Sequence, residues 1–515
     1  MLAVVNSCSL MGLESYPVQV EVDVSSGLPA FDIVGLPDTS IRESKERVRA
    51  AIKNSGFQFP PKRVTVNLAP ADIRKEGPIF DLPIAVGILV ATGQIVGDKL
   101  GSLCILGELS LSGELRRIPG VLAMTSGLKN TSIECFIVPE GNGQEAALLS
   151  DYKVFGLESL LEVCEFLCED KVFPSVQREL PEFTVKNNNT VYSDIIGQAN
   201  AKRALEIAAA GGHNIILLGP PGSGKTMLAR ALNDIMPEMS LNEALEVSKI
   251  YSVSGLLSRE KPLILERPFR APHHNASLAS MVGGGVMPKP GEISLATNGV
   301  LFLDELTEYP KKILESLRQP LEDRVILVSR NAAAVHFPVK CCLVAAMNPC
   351  PCGFLGDTIK ECSCSPNQIK KYLSRISGPL LDRFDLQVQV PRVKQEDILR
   401  GIKKDSIDES IAARERVYNA RKRQKLQFIK DSISCNSEMN NRQIKKYCKL
   451  TQEASEFYKI VYEKYGFTMR SYTRILKVAK TVADLEGKDQ IQVSHLAEAI
   501  QYRDYDRLMK DCQLF

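Results

Sequence analysis

Residues 219–226 read GPPGSGKT and fit the pattern G-x-x-x-x-G-K-[ST], with Gly219, Gly224, Lys225 and Thr226 at its fixed places. The chemistry this spacing serves is the grip on a polyphosphate. Glycines let backbone N–H groups turn inward on phosphate oxygens, and a helix starting there adds its partial positive charge. Lys225 would reach the β- and γ-phosphates, and the Thr226 hydroxyl would hold Mg²⁺. Pro220, Pro221, Gly222 and Ser223 complete the loop, and Met227 is taken with them as nucleotide-contacting. Some eighty residues later GVLFLDE ends in Asp304 and Glu305. Asp304 is suited to the Mg²⁺ shell and Glu305 to polarising an attacking water. ATP and Mg²⁺ are therefore the expected ligands, and hydrolysis the expected reaction.

Both motifs need particular elements to hold them. Ile215-Ile216-Leu217-Leu218 before the loop and Val300-Leu301-Phe302-Leu303 before the carboxylates are apolar runs that read as buried strands. MLARALNDIM after the loop has helical spacing. Strands and helices alternate from about 191 to 390, as in a parallel α/β sheet. Residues 391–515 lose the strand signal and read as a helical lid. Residues 1–173 alternate short β-like runs, such as Val18 to Val24, with helical stretches including Ser40 to Lys53. Residues 174–190, with Pro174, Pro181 and three consecutive asparagines, read as a linker. The fold class expected is an α/β phosphate-loop core with a helical C-terminal lid, preceded by an α+β domain.

The 515 residues suit about three domains. A formal net charge of +3 creates no global field, so any nucleic-acid contact must be local. A run of about 18 apolar residues is absent, which argues against a membrane span. The first residues lack a basic segment and soon meet Glu14, so a signal peptide is not expected. Fourteen cysteines in such a chain point to reduced thiols or a metal site, and the protein is read as cytoplasmic.

Further strings resemble the magnesium-chelatase-like AAA+ ATPases, and within them the ComM-type (YifB) family: SDIIGQANAKRALEIAAAG, RPFRAPHHNASLASMVGGG, AAMNPCPCG and SGPLLDRFDL. The resemblance covers essentially the whole chain. It implies that Ile195, Ile196 and Gly197 pack on adenine and that Asn348 is the sensor orienting the lytic water. It implies that Arg383 is an arginine finger given to a neighbouring subunit, worth about 10³-fold in rate. Arg470 matches the second sensor arginine, with Arg474 one helical turn on as the alternative. A finger acting in trans implies a homo-oligomer, expected to be a hexameric ring. The segment 267–285 matches an insertion directed toward the ring's pore. In it His273 and His274 are expected to be structural, because adjacent side chains do not share a helix face, and Gly283-Gly284-Gly285 to supply flexibility. A hairpin around Asn331 would be a second pore element, with Arg330 near its tip.

KEGPIFDLPIAVGIL resembles the stretch in which Lon-type proteases, of the ribosomal-S5-like fold, carry their serine after Gly-Pro. Here Ile79 follows Gly77-Pro78. The lysine position of that family falls on Leu122. With both halves of the dyad missing, no proteolysis is expected. Cys350, Cys352, Cys362 and Cys364 form C-x-C-x₉-C-x-C, which suits a structural Zn²⁺; free thiols, a disulfide or an iron–sulfur role are the alternatives. Residues 414–425 carry Arg414, Arg416, Arg421, Lys422, Arg423 and Lys425 against Glu415, a run that is either a solvated helix face or a contact to phosphate backbone. No base-reading motif is present, so single-stranded or branched DNA bound without sequence preference is the expected partner. The family implies a ring motor acting as a helicase on recombination intermediates during DNA uptake. A chelatase-type motor remodelling a protein partner is the alternative, and an ATP-dependent protease comes after it.

Overall fold

The computed structural model describes residues 2–128, 132–149, 152–178, 191–285, 288–330, 333–357, 359–393, 407–465 and 468–503. Most of the expected linker, and the Arg330 side chain, lie outside the described residues.

The first sheet is built from β1 (Leu2–Met11), β2 (Glu14–Ser25), β3 (Ala30–Val34), β4 (Arg63–Ala69), β5 (Leu103–Ile105), β8 (Cys135–Pro139) and β9 (Lys153–Leu157), in the order β3-β4-β2-β1-β5-β8-β9. A small ribbon, β6 (Glu108–Leu109) with β7 (Leu115–Arg116), lies outside it. In β2 the valines at 18, 20, 22 and 24 all point to the buried face, as period-two alternation requires. They pack beneath the helix Asp81–Ala91, whose sequence DLPIAVGILVA is apolar all round because it is buried all round. The charged helix Thr39–Asn54 turns Ile41, Val48 and Ile52 inward and is capped by Asp38, which accepts from the Ile41 N–H at 2.8 Å.

The second sheet has five strands: β10 (Ile215–Leu218), β11 (Phe269–Arg270), β12 (Val300–Leu303), β15 (Cys342–Met347) and β16 (Leu386–Gln389). They run in the order β11-β12-β15-β10-β16, every pair parallel. All residues of β10, β12 and β15 are buried, which is why they read as unbroken apolar runs. An antiparallel hairpin, β13 (Val325–Arg330) with β14 (Ala333–Pro338), stands beside this sheet with Ile326, Val328, Val335 and Phe337 buried. C-terminal helices at Ile407–Gln427, Gln452–Tyr465, Met469–Leu485 and Val493–Gln501 cover one side of it. No helix among the described residues is long and apolar enough to cross a membrane.

One buried polar knot joins the sheet to these helices. His213 sits with Nδ1 at 3.1 Å from Asp385 Oδ2 and Nε2 at 2.8 Å from Thr481 Oγ1, while Arg474 Nε lies 3.8 Å from Asp385 Oδ1. Burial pushes the Asp385 carboxyl up, but the His213 bond and the Arg474 charge outweigh it and hold Asp385 well below the ordinary range. A depressed carboxylate contributes stability above its unfolded pKa of about 3.9, and that contribution fades as pH falls toward the folded value. Asp385→Asn is expected to lose about 3 kcal/mol at pH 7, because it leaves Arg474 buried without its counter-charge. Urea melts of both proteins at pH 7 and pH 3 should show a gap that narrows at the lower pH.

Candidate nucleotide site

β10, β15 and β12 are adjacent and parallel, so their carboxyl ends lie side by side. Each end carries one part of the site. β10 runs into residues 219–224 and then the helix Lys225–Ile235; β15 delivers Asn348; β12 delivers Asp304 and Glu305. Crevices outside the carboxyl ends of parallel strands are where open α/β sheets bind ligands.

The side chains meet there. Lys225 Nζ donates to the carbonyls of Gly219 at 2.8 Å and Pro220 at 2.9 Å, and to Asn348 Oδ1 at 3.2 Å. Burial lowers the Lys225 pKa, partly offset by Asp304. The Thr226 hydroxyl lies 3.1 Å from Asp304 Oδ2, so two hard oxygen donors face each other, the pair a magnesium ion uses. Ser223 Oγ is buried with no hydrogen-bond partner among the described residues. Glu305 adopts a left-handed backbone at φ 49° and its carboxylate is mostly exposed. A cavity of about 500 Å³ opens beside it, lined by Glu305, Thr307, Asn348, Pro351, Tyr372 and Arg375. Met227 is partly exposed on the first turn of the helix. Ile195 is buried in the core, leaving Ile196 and Gly197 on the surface.

His274 was not legible as a site residue. It lies in a loop rather than a helix, so helical facing does not govern it. The two histidine rings stack at 4.1 Å, and His274 Nδ1 is 3.5 Å from Glu305 Oε2. The signal was positional: PHHN begins two residues after β11, the strand next to β12. Two of the three glycines at 283–285 are held by close neighbours. A Cβ on Gly283 would lie 2.6 Å from the Lys289 carbonyl, and Gly284 forms a bridge with Lys289.

Arg383 and Arg470 are not at this site. Arg383 pairs with Glu322, and Arg470 Nη2 lies 3.0 Å from the same carboxylate. Asn214, at the amino end of β10, donates to the Arg383 carbonyl at 3.0 Å. Four strand residues at about 3.3 Å each separate that end from the phosphate loop, roughly 13 Å. Arg474 turns inward to Asp385, whereas Arg470 stays half-exposed beside Arg383. A cavity of about 1020 Å³, lined by Glu322, Arg324, Arg383, Arg470 and Lys477, opens at this second edge.

The four cysteines converge, all Sγ atoms within 4.8 Å of one another. The basic run does not form a free cationic face. Arg414 donates to the Asp234 carbonyl at 3.0 Å, Arg421 to the Ala209 carbonyl at 3.1 Å, Arg416 Nε to Glu206 at 3.1 Å, and Arg423 pairs with Asp489. Arg414, Arg416 and Arg421 fasten the helix to the core, while Arg423 pairs at the surface, and Arg416, Lys422 and Lys425 are the basic residues of the run that stay exposed. Ile79, in the short helical turn Pro78–Phe80, and Leu122, in the helix Val121–Gly127, are both buried apolar side chains.

Family models match three stretches: magnesium chelatase, subunit ChlI, at residues 191–398; subunit ChlI of Mg-chelatase at 20–142; and the ChlI C-terminal region at 408–503. The chain is 45% identical over 514 residues to competence protein ComM of Haemophilus influenzae, covering 99% of each. It is 42% identical over 518 residues to the YifB protein of Escherichia coli, covering 99% of this chain and 98% of that one. Lon protease 2 of Bacillus subtilis is 27% identical over 143 residues, 27% of this chain and 26% of that protease.

His274 contacts the carboxylate that faces the cavity without belonging to the phosphate grip. His274→Ala is expected to lower ATP turnover on the order of tenfold through misplacement of Glu305, with nucleotide affinity held within about twofold. Steady-state kinetics beside a nucleotide-binding titration separates the two, and an equal loss in both would remove His274 from the hydrolytic step.

Proposed function

The chain belongs to the ComM/YifB family of magnesium-chelatase-like proteins, and on that premise we propose that it is an ATP-hydrolysing ring motor acting on DNA. Lys225 and the loop around it hold the β- and γ-phosphates. Thr226 and Asp304 hold Mg²⁺, which when bound supplies Lewis-acid charge at the phosphates. The Asn348 amide orients the lytic water and Glu305 polarises it. Arg383 and Arg470 reach the nucleotide of a neighbouring copy, in a ring read from the family as hexameric. Cys350, Cys352, Cys362 and Cys364 hold a structural zinc. The N-terminal sheet is read as a Lon-like domain that has lost its dyad at Ile79 and Leu122 and serves ring assembly and DNA guidance in the cytoplasm. The motor's work is helicase activity that promotes branch migration of recombination intermediates in DNA uptake, a setting supported by the name of the competence-protein relative.

One observation carries the motor reading. Lys225, Thr226, Asp304, Glu305 and Asn348 gather at the carboxyl ends of β10, β12 and β15, while the two free-edge arginines gather near the opposite end of β10. A chain with its phosphate grip on one edge and its guanidinium pair on another completes its site only against a second copy.

The test is the ATPase rate with and without forked or four-way-junction DNA, Glu305→Gln serving as the blank. Stimulation by branched DNA, lost in that variant, is the expected outcome. A robust rate indifferent to every DNA would transfer the reading to a protein-remodelling motor, and casein cleavage would restore the protease. The trans arrangement has its own check. Arg383→Ala and Glu305→Gln should each be nearly inactive, the arginine variant by about 10³-fold. Mixed one to one before assembly, they should recover about a quarter of the wild-type rate, since that share of random neighbours pairs an intact site with an intact finger. No recovery would place the finger in its own subunit's site.

A further inference from the structure

Resting on the zinc reading above, we infer that the four-cysteine centre is a brace that sets Asn348 against the phosphate loop, so that hydrolysis depends on the metal while nucleotide binding does not.

The geometry suits one tetrahedral ion. Zinc–thiolate bonds of about 2.3 Å put tetrahedral sulfurs about 3.8 Å apart. The Sγ separations are 3.3 Å for Cys350–Cys352 and 3.6 Å for both Cys350–Cys362 and Cys352–Cys362. A disulfide needs about 2.05 Å, far inside these values. A multi-iron cluster would divide the thiolates among several metals, whereas these converge on one point. The Cys352 N–H donates to Cys364 Sγ at 3.4 Å, the kind of backbone support that orients metal-bound thiolates. Cys350 is fully buried and the other three are partly buried against the same apolar cluster as Met347, Ile369 and Leu373.

The centre is tied to three parts of the nucleotide site. Cys350 lies two residues after Asn348, whose amide oxygen takes the Lys225 ammonium. Gly353, between the cysteine pairs, rests on the phosphate loop. At φ 84° its Cβ would lie 2.6 Å from Pro221 Cδ and 3.8 Å from Asn348 Cγ, so only glycine permits this approach. Cys364 is followed by Ser365, which caps the helix Pro366–Leu373. That helix carries Tyr372 to the Thr307 hydroxyl at 2.8 Å, and Arg375 just beyond it pairs with Glu308 at 3.1 Å, two and three residues past Glu305. Four bonds to one ion therefore fix the loop that joins Asn348, Pro221 and the segment after Glu305. Two of the three hydrogen bonds of Lys225 go to the carbonyls of Gly219 and Pro220, which follow β10, and only the third reaches Asn348.

The experiment uses the full chain and four variants: Cys362→Ser, Cys364→Ser, Gly353→Ala and Glu305→Gln. Zinc per chain is measured by elemental mass spectrometry, nucleotide affinity with a fluorescent ATP analogue, thermal stability by melting, and turnover by phosphate release. Wild type should carry about one zinc per chain. The cysteine variants should lose it, melt lower and turn over at least tenfold more slowly, with affinity within about threefold. Gly353→Ala leaves the ligands intact and guards against a simple folding failure. It should retain zinc and affinity yet lose turnover to a similar extent, toward the Glu305→Gln floor. A wild-type chain purified without zinc removes the zinc reading itself. Zinc present, with Gly353→Ala and the metal-free chain turning over as wild type, overturns the brace and leaves the zinc reading standing. Equal losses of affinity and turnover also overturn the brace, because the metal would then serve binding as well.

Discussion

Parallel register among three strands is the constraint on which the site depends. Ile215 to Leu218 of β10 align with Val344 to Met347 of β15, and Val300 to Leu303 of β12 with Cys342 to Ala345. The three strands consequently end within a residue or two of one another. Lys225, Thr226, Asp304, Glu305 and Asn348 all lie on the segments that leave those ends. A one-residue slip of β15 would turn buried side chains to the opposite face and carry Asn348 away from Lys225. Burial makes that slip costly, because all fourteen residues of these strands are excluded from water on both faces. Catalytic geometry is in this sense a by-product of apolar packing.

The same sheet explains why the arginines are elsewhere. Arg383 precedes β16, and the residues before a strand lie at its amino end, opposite the phosphate loop. Its carbonyl is fixed by Asn214 and its guanidinium is nearly buried beside Glu322. Burial lowers the Arg383 pKa, with Glu322 acting in the other direction. One carboxylate thus faces two guanidiniums, Arg383 and Arg470, at the mouth of the larger cavity. An anion with more oxygens than a carboxylate, such as a phosphate tail, matches that pair better, since each guanidinium can then bond to its own oxygens.

Much of this was legible in the chain and some was not, for physical reasons. The phosphate loop and the Asp304–Glu305 pair are contiguous strings flanked by strand patterns, so type and spacing reveal them. The four cysteines are nearly contiguous too, and their convergence follows the spacing. His274 escaped because its meaning depends on which strand neighbours which, a fact of topology rather than of local pattern. The basic run from Arg414 to Lys425 misled in the opposite direction. Its charges looked free because their partners, Glu206, Asp489 and the carbonyls of Ala209 and Asp234, lie far away in sequence. Likewise the helical facing rule was sound, but the segment holding the histidines is not a helix.

Coupling between the two sheets rests on a junction that no motif marks. Glu145 is buried, yet it accepts from Asn142 at 3.0 Å, from Arg117 at 3.1 Å and from the Ser252 hydroxyl of the core helix Leu241–Val253. The Gly120 N–H donates to the Ser252 carbonyl at 3.0 Å. Around this polar knot Leu122 and Leu148 pack with Met239, Ala244, Leu245, Val247 and Leu263. A buried carboxylate with several donors is a specific joint, since sliding would strand its charge in an apolar setting at a penalty of several kcal/mol. The apolar ring around it resists separation but not rotation; the hydrogen bonds resist both. Helix Leu241–Val253 also meets Arg267 through Glu243, and Arg267 lies two residues before β11, the strand that leads to His274. One helix thus touches both the segment leading to the residue that contacts Glu305 and the polar joint of the N-terminal domain, through Glu243 at one end and Ser252 at the other.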